Sequence, residues 1–407
     1  MDVVLPSPSP GKNYVQRSRW QNILLITIIG LLNTLTPFSI DMYLPAFPKI
    51  AQELHTGIGN VALSVSTYFL GFALGQILYG PLLDRFGRKR PLYIGLFFYM
   101  IATIGCTLCN TIEIFWVARF LQALSGCVAS VAAMAMVLDF FPPEKSARII
   151  SLLILILGIS PLLAPTVGSL IIASWHWHLV FVTLAIFALL MFLVSFFLLP
   201  EGQEPDLSVS LMPRPIINSF RQILTDRQFY VHALAGTFSF AGLFVYVAGS
   251  PAIFMDEFQM SPKIYGAIFA GLSIGFIGSS QLNHFLTQRF TGKQILQTVL
   301  IIQSLTGIIF FITVFSGWYT MSSTIFFIFI VLACSGLTYP NAAALAMTPF
   351  TKNAGTAAAL LGFIQIGIGG LISAGVGMLH FKGSFSVALI MAVSASIALL
   401  IFLKGKK

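Results

Sequence analysis

The sequence predicts an all-α membrane protein, with twelve transmembrane helices in two pseudo-symmetric six-helix bundles and both termini cytoplasmic. Three observations predict it. Hydrophobic residues make up 57% of the 407 and charged residues only 9%, with a mean hydropathy of +0.91. A soluble domain carries about 25% charge, so this chain lacks the polar surface to cover a core and needs lipid as its solvent. That excludes a soluble enzyme, a nucleic-acid binder and a disordered scaffold. The apolar residues fall into twelve runs, each near the ~20 residues that a spanning helix requires. The basic residues are sorted by loop: of 22 Lys and Arg, 18 share the side of the N-terminus, Lys49, Lys263 and Lys382 lie opposite, and Arg119 alone falls within a span. Cytoplasmic loops carry the excess of Lys and Arg, so the net charge of +9 reads as an orientation signal.

Residues 1–22 are polar and contain Pro6, Pro8 and Pro10. The apolar stretch that follows is too long for a cleaved signal, so 1–22 reads as a cytoplasmic tail before a retained span. Spans near 23–45, 59–79, 92–110, 114–137, 149–173 and 179–199 form an N-terminal bundle over 23–199. Segment 200–228, with Glu201, Glu204, Asp206 and Pro213, reads as a cytoplasmic linker with a surface helix from about Ile216 to Leu224. Spans near 229–250, 264–282, 294–315, 323–345, 355–378 and 384–403 form a C-terminal bundle over 229–403, and 404–407 is a tail. The halves share a faint repeat, since Asp84 and Asn283 follow the second and eighth spans 199 positions apart. Two like bundles around a midplane cavity are a recurrent transporter architecture. The chain has no GxxxxGK[ST] phosphate loop and no soluble domain long enough to bind ATP, which argues against a nucleotide-driven pump. Cys106 and Cys109 have CxxC spacing but lie in an apolar run with no second pair and no nearby histidine, so they read as small packing residues and no metal site is expected.

A few polar residues are not explained by topology. The loop after the second span reads Gly80-Pro-Leu-Leu-Asp84-Arg85-Phe-Gly87-Arg88-Lys89-Arg90-Pro. Orientation accounts for its basic residues but not for two glycines or for an acid at a helix end, where Asp84 can pair with Arg88. Asp139 ends the fourth span. Arg119 sits inside that span in Arg119-Phe-Leu-Gln122-Ala-Leu-Ser-Gly126, and a cation at such depth is expensive enough to require a purpose. Asp41, in Pro37-Phe-Ser-Ile-Asp41-Met-Tyr43-Leu-Pro45, is the one acid in an apolar stretch away from both the cytoplasmic boundary and the opposite rim, whereas Glu113, Asp256 and Glu257 read as rim residues. The fifth span carries Gly158-Ile-Ser-Pro161-Leu-Leu-Ala-Pro165-Thr-Val-Gly168, whose prolines and small residues make a bendable, closely packed helix. Tyr43, Tyr68, Gln122, Tyr246, Asn341 and Gln365 are candidates to line a substrate cavity, because phenols stack and hydrogen-bond and uncharged amides suit such a wall.

These segments resemble motifs of the major facilitator superfamily. The Gly80–Lys89 run is similar to its signature G-x-L-x-D-R-x-G-R-K loop, and the resemblance implies a gate latch built from Gly80, Asp84, Arg85, Gly87, Arg88 and Asp139. The R-x-x-Q-x-x-x-G spacing resembles the superfamily's fourth-span motif linked to proton coupling, with Ala123 where relatives have glycine, which implies that role for Arg119 beside Asp41. Gly158, Pro161, Pro165 and Gly168 resemble the antiporter motif of drug exporters. Trp175-His-Trp177-His178 follows, with His178 where relatives carry arginine. Together with Tyr246-Val-Ala-Gly-Ser-Pro251 and Tyr339-Pro-Asn341, the chain resembles the bicyclomycin-resistance (Bcr/CflA-type) branch. That implies a monomeric drug/proton antiporter of the bacterial inner membrane, driven by the proton gradient without a cofactor and exporting small amphipathic or lipophilic molecules. A dedicated exporter of one endogenous metabolite (a siderophore, nucleoside or amino-acid derivative) fits the same residues. A non-transporting receptor fits them poorly, because it has no use for Asp41, Arg119 and the latch.

Overall fold

The structure is a computed structural model that describes residues 18–208, 213–350, 354–379, 381 and 383–405, all of them helices, turns or connecting segments. In chain order the helices are α1 (Arg19–Asp41), α2 (Phe47–Glu53), α3 (Ile58–Phe86), α4 (Lys89–Thr107), α5 (Ile112–Phe140), α6 (Pro143–Ser174), α7 (His178–Leu198), α8 (Pro213–Thr225), α9 (Arg227–Pro251), α10 (Pro262–Leu286), α11 (Gly292–Phe315), α12 (Met321–Met347), α13 (Ala354–Met378) and α14 (Gly383–Lys404). Among the described residues, eleven helices are long and apolar enough to cross a membrane. Twelve spans were expected; α6 is a continuous 32-residue helix at the position of the fifth, and the apolar stretch assigned to it is Ile159–Ser174. Helix α8 is longer than the expected 216–224.

Polar side chains set where these apolar rods begin. Ser18 and Gln21 form a reciprocal capping box at α1, as Thr291 and Gln294 do at α11. Asp226 accepts from Phe229 N at 2.9 Å to start α9, and Thr111 caps α5. The first span stops at Asp41, short of the expected residue 45, and the chain continues as a tight 3-10 turn (Leu44–Ala46) into α2. Pro251 ends α9, and a wide π turn over Ala252–Glu257 follows.

Helices α1 and α3–α7 pack on one another, and α9–α14 pack likewise; the groups meet along α3 with α13 and α6 with α10. Their buried cores are arranged unequally. At the end opposite Arg88 one core draws on both groups, including Tyr43, Phe69 and Phe115 from the first and Phe244, Phe254 and Tyr265 from the second. There Ser66 and Ser373 hydrogen-bond across α3 and α13 at 2.8 Å, and Phe69 meets Phe244 edge-on with ring centroids 4.5 Å apart. At the Arg88 end the buried cores are separate, one within the first group and others within the second. The two bundles are thus joined at one end and independently packed at the other.

Candidate functional site

The turn between α3 and α4 is made by Gly87, whose φ of +79° suits glycine. It brings Arg88 in under the bundle, where only 6% of the residue is exposed. Its guanidinium donates in three directions: Nε to Asp139 at 2.8 Å, one terminal nitrogen to Asp84 at 2.7 Å, and the other to Gln203 at 2.8 Å. The planar fork of arginine spreads its donors over three nitrogens, so each can meet a separate acceptor around the group. Asp84, Arg88 and Asp139 are therefore brought together, all within the first bundle. Asp84 does not cap the start of α4. Glu201 of the linker does, accepting the backbone N–H groups of Arg88 and Lys89 at 2.8 and 3.1 Å, where the helix dipole favours a carboxylate. Arg85 lies in the last turn of α3 with its guanidinium 5.8 Å from the Phe86 ring. Gly80 precedes Pro81 inside α3 and has no heavy atom within 4 Å of where a Cβ would stand.

A second constellation surrounds Arg119, which is fully buried. Desolvating a cation costs several kcal/mol unless other groups replace water. Here the guanidinium lies over the Tyr43 and Tyr68 rings, 4.3 and 4.4 Å from their centroids. It donates to Gln122 and, at 2.9 Å, to the carbonyl of Ser39. That carbonyl belongs to the last turn of α1, where helical donors run out, so Arg119 ties α5 to the end of α1. Gln122 passes the chain of bonds to Thr103 at 2.8 Å, and Ser39 shares a bond with Tyr99 at 2.6 Å. The Arg119 Nε and Tyr68 hydroxyl keep no partner among the described residues.

Asp41 closes α1 two residues beyond Ser39 and is 5% exposed. Among the described residues no hydrogen bond or ion pair ends on its carboxyl group, and Arg119 is engaged elsewhere.

The sequence profile of the Major Facilitator Superfamily matches residues 29–374. The chain belongs to the major facilitator superfamily. It is 30% identical over 389 residues to the uncharacterized MFS-type transporter YdgK of Bacillus subtilis, covering 94% of this chain and 95% of the other. It is 26% identical over 381 residues to the bicyclomycin resistance protein homolog of Haemophilus influenzae, covering 93% and 95%. Over 334 residues it is 27% identical to the multidrug resistance protein MdtL of Klebsiella pneumoniae, covering 82% and 83%. Among solved structures, a bacterial homolog of the human lysosomal transporter Spinster matches the fold with a TM-score of 0.76 at 15% identity, covering 96% and 98%. This facilitator is accordingly a multi-pass membrane transporter and not an enzyme.

The remaining motif residues are distributed through the facilitator fold. Pro161 and Pro165 lie inside the continuous α6, as does Gly158, whose surroundings fall outside the described residues. Gly168 packs so closely on the end of α1 that a Cβ there would overlap the Met42 carbonyl oxygen. The expected cavity residues do not share one wall. The polar groups of Tyr43 and Gln122 are committed inside the first bundle, with the Tyr43 hydroxyl sharing a bond with Ser64 at 2.7 Å. Tyr68 stacks on Arg119. Asn341 lies at the Arg88 end of α12 and donates to Asn283 at 2.6 Å; that amide pair occupies the place in the second bundle that the charged latch holds in the first. Tyr246 stacks on Phe269 with centroids 5.0 Å apart. Its hydroxyl and the Gln365 amide nitrogen are buried without a partner among the described residues.

Other groups play roles that no motif announced. Glu257, expected at the rim, accepts from the Tyr319 hydroxyl and from Ser384 N, the latter at 2.8 Å. His178 begins α7, stacked on Trp177 and 3.3 Å from Glu53. All four cysteines are buried and free. Glu201 and Gln203 lie 113 and 115 positions from Arg88, a separation that carries no sequence signal. Asn283, by contrast, is marked in the sequence by the 199-residue repeat.

Proposed function

We propose that this facilitator is a proton-coupled exporter of small amphipathic or lipophilic molecules in the bacterial inner membrane. It works as a monomer, takes its energy from the proton gradient and needs no cofactor. The observation that carries the reading is Asp41, a carboxyl group buried at the end where the bundles are joined and given no cation and no N–H donor among the described residues. A carboxylate in such a place is costly, and the neutral acid is much cheaper to bury. Opening that end to water lets Asp41 exchange a proton with the outside; closing it again requires a proton to remain bound. Release follows once the opposite, cytoplasmic end opens and water or substrate reaches the site. The relatives named for bicyclomycin and multidrug resistance support export and a drug-like substrate.

Arg119 serves this cycle by fixing the end of α1, and with it the position of Asp41, through the Ser39 carbonyl. Asp84, Arg88 and Asp139 form the cytoplasmic latch: the half-exposed Asp84 faces outward from the first bundle, ready for a partner on the second when that end closes. The test is export from proteoliposomes under an imposed pH gradient. Asp41→Asn should yield folded protein with gradient-driven export abolished; full gradient-driven export by that variant would overturn the reading. A growth and efflux panel in a pump-deleted host separates a broad exporter, which protects against several unrelated compounds, from one dedicated to a single metabolite.

A further inference from the structure

The linker is more than a tether. Residues 201–206 run as a strap over the α3–α4 turn, with Glu201 on the first two N–H groups of α4 and Gln203 on Arg88. Asp206 N also donates to the Asp84 carbonyl at 3.2 Å. Gly202 is seated so closely that a Cβ would stand 2.8 Å from an Asp139 carboxylate oxygen and 2.9 Å from Arg88 Cγ. Further on, the linker is anchored to the other bundle: Ile223 of α8 is buried with Phe229, Leu360 and Ile364, and Phe220 packs against them. One connection thus holds the latch of the first bundle at one end and the core of the second at the other. Asp206 and Pro213, where α8 begins, are seven residues apart, and so at most about 25 Å.

We infer that Glu201 and Gln203 are positioning residues of the latch. They commit Arg88 to the first bundle while the Arg88 end is open, and they yield when that end closes. This rests on the latch reading above but not on proton coupling. In the present arrangement Arg88 has three acceptors and the start of α4 is capped, so the charged turn is satisfied without the second bundle. Removing the strap takes away bonds that belong to this arrangement, and the balance should move toward the closed Arg88 end.

The test is a distance measurement by pulsed electron paramagnetic resonance on the full chain in lipid nanodiscs, without substrate. Spin labels go on Lys145 and Gln288, exposed residues at the Arg88 end of α6 and in the turn just after α10, after the four buried cysteines have been replaced by alanine. A hydrogen bond removed from one state alone should shift the ratio of long to short distances by about three- to tenfold. We expect Gln203→Ala and Glu201→Leu each to do so toward the short distance. Glu201→Gln keeps an acceptor oxygen for the two N–H groups and should stay within about twofold of the parent. Unchanged distributions in both Gln203→Ala and Glu201→Leu would overturn the inference, as would lower thermal stability without any change in the ratio. If Glu201→Leu does not fold, Gln203→Ala and Gln203→Leu decide the matter. Proton-driven export does not enter this readout, so loss of the antiport reading and loss of the strap remain separate results.

Discussion

Arg88 holds two aspartates at almost the same distance, yet they should contribute very differently to stability. Asp139 lies 2.8 Å from it with a side chain 5% exposed, and Asp84 lies 2.7 Å from it with a side chain 48% exposed. Removing one partner of a buried pair costs about 3–5 kcal/mol, and the low end applies here because Arg88 keeps Asp84 and Gln203. An exposed pair contributes only about 0.2–1 kcal/mol, because water solvates whatever is left. Asp139→Leu should therefore be more costly than Asp84→Leu by about 2–3 kcal/mol. At about 2 °C per kcal/mol, thermal unfolding of the purified protein in one detergent should fall by roughly 6 °C or more for Asp139→Leu and by no more than about 2 °C for Asp84→Leu. Asp139→Asn, which keeps an acceptor, should fall between them. Adding Arg88→Leu to Asp139→Leu should recover part of the loss, because no buried cation short of an acceptor then remains. Equal shifts for the two aspartates, or a larger one for Asp84, would refute the argument that burial and not distance sets the worth of these bonds.

Three further outcomes are expected. Arg119→Lys should lower both thermal stability and export by more than a surface Arg→Lys change does, since an ammonium cannot bridge Gln122 and the Ser39 carbonyl while lying flat between two phenol rings; near-parent export by Arg119→Lys would count against its positioning role. Gly168→Val places atoms inside the Met42 carbonyl oxygen, so α1 and α6 must separate at a cost of about 3 kcal/mol or more. Size-exclusion profiles of a fluorescent fusion should show loss of the monodisperse peak. Tyr319, in the turn between α11 and α12, is pushed up to about 12 by its bond to Glu257. A phenol whose folded value lies above its ordinary 10 stabilises while protonated, so its contribution is whole below about pH 10 and disappears as pH rises toward 12. The melting difference between the parent and Tyr319→Phe should shrink over that window, and a constant difference would contradict the assignment.

The latch and the Arg119 cluster differ in how far they could be read in advance. Asp84, Gly87 and Arg88 stand within five residues of one another, and glycine at the turn and a carboxylate one helical turn from an arginine have local causes that spacing reveals. The depth of Arg119 was legible for the same reason, being a lone cation in an apolar run. Its partners were not. Tyr43 and Tyr68 looked like cavity phenols, but they are the faces that make a buried guanidinium tolerable, and Asn341, which also looked like a cavity residue, completes an amide pair with Asn283. In each case a polar side chain satisfied a neighbour brought close by helix packing, and no spacing rule encodes that.

Composition and the placement of 22 basic residues were enough to specify the solvent, the helical class and the expected orientation, because the hydrophobic effect and the cost of unpaired backbone groups in lipid act on every residue locally. Tertiary structure decided which charges meet. It carried Glu201 and Gln203 across more than a hundred positions to Arg88, left Asp41 without a partner among the described residues, two positions from the carbonyl that Arg119 holds, and joined the bundle cores at one end only. These results depend on distances of a few ångströms between helices far apart in the chain, and only the packed bundles fix such distances.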